Sequence, residues 1–123
     1  MPNQIIWENH GVLSQYYGEF NPELHGKVLN LIFSNPRTDT LKYIIADYSD
    51  LNDISLTKKN IKFPFTVTVG ASYYLRNIQV ALVATDKNIR ELCKKYIEVF
   101  SQSNTTWKVR LFYSLNDARD WVS

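Results

Sequence analysis

The stretch Leu41-Lys42-Tyr43-Ile44-Ile45-Ala46-Asp47-Tyr48-Ser49-Asp50-Leu51-Asn52-Asp53-Ile54-Ser55 changes character half-way along. Its first half is short and almost wholly apolar, the composition of a strand covered on both faces of a sheet. From Asp47 onward it is polar, with three aspartates and two serines. In an α/β sheet the carboxyl end of a central strand is where ligands and partners dock. Asp47, Ser49, Asp50, Asp53 and Ser55 are therefore read as a turn and as the candidate surface. Lys58 and Lys59 follow within one helical turn of Ser55.

Working outward, Ile5–Asn9 and Val12–Phe20 read as a β-hairpin whose turn, Asn9-His10-Gly11, uses Gly11 for positive φ. Asn21-Pro22-Glu23 opens a helix by capping, by proline at the first position and by an acid at the positive end. Leu24, Val28, Leu31 and Ile32 form its apolar face, and Asn35-Pro36 stops it. Residues 56–77 alternate like a strand over Phe65, Val67 and Val69, yet lie between two strands that need a crossover, which predicts a helix. Ile78–Thr85 is a second central strand. Ile89, Leu92, Cys93, Tyr96, Ile97 and Phe100 then repeat at helical spacing. Trp107–Tyr113 reads as an edge strand, and Ser114-Leu115-Asn116-Asp117 caps a last helix that buries Leu115, Ala118, Trp121 and Val122. The order is β-β-α-β-α-β-α-β-α, an α/β fold with a mixed sheet.

At 123 residues, 45% apolar and 21% charged, the chain is one globular domain, residues 1–123. A net charge of +2, with basic residues in pairs, argues against nucleic acid. The uncharged run Phe63–Leu75 is too short for a membrane span. A single cysteine and an N-terminus without a signal layout make a cytoplasmic protein the expectation. No glycine-rich phosphate loop, metal-ligand spacing or nucleophile–base pair is present, so no cofactor, no metal and no enzymatic activity are expected. His10 and His25 read as surface residues and Cys93 as a core residue.

Four segments carry a resemblance: Trp7-Glu8-Asn9-His10-Gly11, Tyr17-Gly18-Glu19, Leu41–Asp47, and the closing Phe112-Tyr113-Ser114-Leu115-Asn116-Asp117-Ala118-Arg119-Asp120-Trp121-Val122. Together they resemble the STAS-like proteins, in particular the bacterial SpoIIAA-like branch named after an anti-sigma-factor antagonist. The resemblance implies a regulatory domain with a protein partner. In the antagonists a serine near the start of the second helix is phosphorylated by a partner kinase, and a Ser-Gly pair follows. The matching turn here, Asp53-Ile54-Ser55-Leu56, has one serine and no glycine, and Ser55 is the nearest match. A phosphate there would meet the free amides of a helix start, with Lys58 and Lys59 beside it. The alternative is a small apolar ligand or lipid held between the sheet and the 56–77 helix, against Phe63, Phe65, Tyr73 and Tyr74. A homodimer would cover the same apolar surface.

Overall fold

The computed structural model describes residues 3–53, 62–103 and 105–123. The elements are β1 (Asn3–Trp7), β2 (Gly11–Glu19), α1 (Pro22–Ser34), a 3₁₀ turn (Pro36–Thr40), β3 (Tyr43–Asp53), α2 (Lys62–Ser72), β4 (Gln79–Val83), α3 (Lys87–Gln102), β5 (Lys108–Phe112) and α4 (Leu115–Val122). The expected element order holds. The five strands lie side by side in sequence order, β1-β2-β3-β4-β5, with β1 antiparallel to β2 and the other pairs parallel.

Three successive crossovers in one direction place α1, α2 and α3 on one face. Val12, Tyr16, Ile44, Tyr48, Val80 and Leu82 point into the core they share with Ile32, Ala71, Ile89 and Phe100. On the other face α4 covers Leu13, Ile45, Ala81 and Val83, with Ala118 fully buried and Trp121 packed beside it. β3 and β4 thus lose both faces to helices, which explains their unbroken apolar runs.

The helix starts follow their caps. Asn21 accepts from the Glu23 and Leu24 amides at 3.1 and 3.2 Å, Asp86 from Asn88 and Ile89 at 2.9 and 3.1 Å, and Ser114 from Asp117 at 3.2 Å. Residues 62–72 are helical, as the topology requires, against the local strand-like alternation. That helix ends at Ser72, earlier than expected, and Asn77 turns the chain with a left-handed φ of 59°.

Four expectations are corrected. The buried stripe of α1 is His25, Val28, Leu29, Ile32 and Phe33, while Leu24 and Leu31 are exposed. His25 is consequently a core residue and not a surface one; its Nε2 lies 2.8 Å from the Tyr48 hydroxyl, which supplies the partner that burial demands. Gly11 does not have positive φ. It opens β2 opposite Tyr43, whose ring occupies the space a Cβ would need. Lastly, Asp47–Asp53 is not a turn, because β3 continues through it, paired with β2 as far as Glu19 opposite Asp53.

Candidate functional site

Pairing of β3 with β4 ends at Asp47 opposite Val83, six residues before β3 itself ends at Asp53. Beyond Asp47, β3 keeps only β2 as a described neighbour, and the register slips twice, between Gln15 and Tyr17 and between Gly18 and Glu19. Each slip places an extra residue in β3. Such bulges bend a strand and re-aim its side chains. Gly18 takes φ 74° at the bend, a conformation glycine adopts without steric penalty. The result is a projecting strand end with Ser49 half-buried and Asp50 exposed.

Asp47 is the hinge of this arrangement. Its carboxylate is buried, accepting from the Ser49 backbone amide at 3.0 Å, the Ser49 hydroxyl at 2.6 Å and the Gln15 side-chain Nε2 at 3.2 Å. These bonds use the amide that the bulge frees from the ladder, so the strand edge is blunted by its own side chain.

Beneath the projection, Tyr48 and Leu51 enter the core. The Tyr48 ring stacks on Tyr16 at 5.1 Å between centroids, and His25 leans on both rings at 5.6 and 5.0 Å. Burial drives the His25 pKa down to about 3 and raises the Tyr16, Tyr48 and Tyr96 hydroxyls. All four are therefore neutral at physiological pH. Burial likewise pushes the Cys93 thiol up to about 12. A thiol held this way is a poor nucleophile and a poor metal ligand, in keeping with its place on the apolar stripe of α3.

Of the sequence-derived site residues, the structure brings Asp47, Ser49 and Asp50 together on the projecting half of β3. Ser55, Lys58 and Lys59 lie outside the described residues, as do the side chains of Asp53, Phe63 and Phe65. Tyr73 and Tyr74 stand in the turn after α2, 66% and 63% exposed. Sequence reasoning missed Gln15, Tyr17 and Gly18 of β2 as neighbours of this surface. Its one available signal was Tyr17-Gly18-Glu19, a glycine late in a strand, which marks a bulge. Among the described residues no three acidic, histidine or cysteine side chains gather as a metal site would need. None of the described helices is long and apolar enough to cross a membrane.

No protein-family model matches the chain. No curated protein matches it either. Solved structures do. A protein from Shewanella loihica PV-4, an uncharacterized DUF3478 member with a SpoIIAA-like fold, superposes with TM-score 0.60 at 15% identity, over 99% of this chain and 93% of its own. The chain has the SpoIIAA-like, STAS-like fold. An anti-sigma factor antagonist from Mycobacterium paratuberculosis is similar at TM-score 0.65 and 13% identity, over 98% of this chain and 92% of its own. The SpoIIAA-like likeness expected from the four sequence segments is thus recovered in the backbone, and at these identities it concerns the fold alone.

Proposed function

We propose that this domain is a non-enzymatic regulatory module of the bacterial cytoplasm that binds a protein partner on the surface around Asp47–Ser55. The observation that carries the reading is the projecting half of β3, held from below by Tyr48 and Leu51 and offering Asp50 to solvent. The winding of the sheet supports it. Ligand crevices of open α/β sheets form where the strand order reverses, and the order here never reverses. The sheet therefore lacks the strand-order reversal at which small-substrate crevices form, which favours another protein over a small substrate. The similarity to an anti-sigma factor antagonist agrees with a protein partner. In this reading Ser55 is the phosphate acceptor, and Lys58 and Lys59 are the cations that follow it in the sequence.

The test is affinity purification of the tagged protein from its own cells, with mass spectrometry for partners and for phosphate on Ser49 and Ser55. Asp50→Lys is the control, since Asp50 is exposed and its loss leaves the core untouched. A partner retained by the wild type and lost with Asp50→Lys supports the surface. Identical captures from both would remove it.

One observation favours a ligand as second reading. Among the described residues, His25 Nδ1 is buried between the sheet and the helices without a hydrogen-bond partner, and the buried Ser14 and Tyr16 hydroxyls have at most each other. Leaving such groups bare costs roughly 1–3 kcal/mol each. A ligand with an uncharged polar end would satisfy them, and native mass spectrometry of the purified protein would find its mass. A bare polypeptide mass would dismiss it.

A further inference from the structure

At the opposite end of the parallel strands from Asp47, the β1–β2 turn and the 3₁₀ turn Pro36–Thr40 face one another across a cavity of about 220 Å³. Trp7, Glu8, His10, Arg37 and Thr40 are among its lining residues. Drug-sized ligands fill pockets from roughly 300 Å³ upward. This cavity suits something smaller.

Its two charged linings are unequal. The Glu8 carboxylate is already occupied: Arg119 grips it with two nitrogens at 2.9 and 2.7 Å, and the Tyr43 hydroxyl donates to it as well. The Arg119 guanidinium holds the Glu8 carboxyl below its ordinary pKa. Arg37 is the reverse case. Among the described residues its guanidinium has no carboxylate within ion-pairing distance. It sits over the Trp7 ring, 6.0 Å from the centroid, where the negative face of the indole steadies a cation. The Thr40 hydroxyl is spent on the Arg37 carbonyl at 3.3 Å, which ties the two lining residues together.

A cavity whose acid is neutralised and whose remaining cation is a planar, unpaired donor fork selects for an oxyanion. We propose that this cavity binds a small oxyanion, a phosphate or a carboxylate, on the Arg37 guanidinium with Trp7 as its wall. The proposal is independent of the partner surface, which lies at the far end of the sheet.

The experiment follows the Trp7 indole N–H and the Arg37 Nε–H by NMR while inorganic phosphate, and separately acetate, is titrated with chloride holding ionic strength constant. Saturable shifts centred on Trp7, His10 and Arg37 are expected, with the Trp107 and Trp121 indoles still. Arg37→Gln should weaken binding about tenfold or more, the loss of a charge-assisted hydrogen bond, and Arg37→Lys should restore part of it. Lys42→Gln, an exposed cation outside the cavity lining, should bind as the wild type does. A response to phosphate alone or to acetate alone names the class. No saturation with either anion, or equal shifts in Arg37→Gln with an unchanged amide spectrum elsewhere, overturns the proposal.

Discussion

The two halves of β3 are held by different means. Residues 43–47 are laddered on both edges and covered on both faces, so their position follows from the sheet itself. Residues 48–53 have one described strand neighbour and two register slips, and depend on side chains: Tyr48 on His25 and Tyr16, Leu51 in the core, Asp47 on Ser49. The first half can tolerate little change. The second keeps an outward surface whose exposed residues can vary without disturbing its anchor.

Acid should separate the halves most strongly. Between its ordinary pKa of 6.5 and about 3, His25 takes a proton in the unfolded chain and refuses it in the folded one. Stability is thus fully present above pH 6.5 and falls below it by about 1.4 kcal/mol per pH unit, on the order of 3 kcal/mol by pH 4. Urea titrations from pH 7 to 4 should trace that slope, and His25→Phe should flatten it. A wild-type slope no steeper than that of His25→Phe would mean the ring is reached by water.

A side chain at position 11 attacks the other half. Gly11→Ala must displace the Tyr43 ring, at a cost of roughly 1–3 kcal/mol, read as a lower denaturation midpoint. Asp47→Ala should cost about 1–2 kcal/mol, since the half-buried Ser49 amide and hydroxyl lose their acceptor. Its signature is local: hydrogen exchange should quicken at Ser49 and Asp50 while Ile44 and Ile45 stay protected. Equal acceleration in both halves would erase the distinction between them. Smallest of all, Asp50→Lys should move stability by no more than about 0.5 kcal/mol in the same titration, whatever it does to a partner.

Much of this architecture was legible because it rests on local chemistry. The caps Asn21, Asp86 and Ser114 and the apolar runs of β3 and β4 announce themselves within a few residues. The continuation of β3 past Asp47 was hidden for a physical reason. Two bulges break the alternation of period two, so Tyr48 and Leu51 point inward without a regular spacing, and the aspartates at 47, 50 and 53 read as a turn. His25 was misplaced because an imidazole enters a core only when a partner is supplied, and that partner, Tyr48, is a long-range contact. Glu8 and Arg119, 111 positions apart, are likewise beyond any local pattern. The candidate surface is proposed from the polarity of one continuous stretch, whereas the Arg37 cavity depends on two turns meeting in space.

The sequential order of the strands bears on how the chain is made. Each βα unit can settle against the edge left by the one before it, so most of the sheet can assemble as the polypeptide emerges. The α1–α3 side is sealed progressively. The face bearing Leu13, Ile45, Ala81 and Val83 stays bare until α4 arrives and Arg119 closes on Glu8. A released chain that lacks the residues from Leu115 onward would thus leave this apolar sheet face open to other molecules.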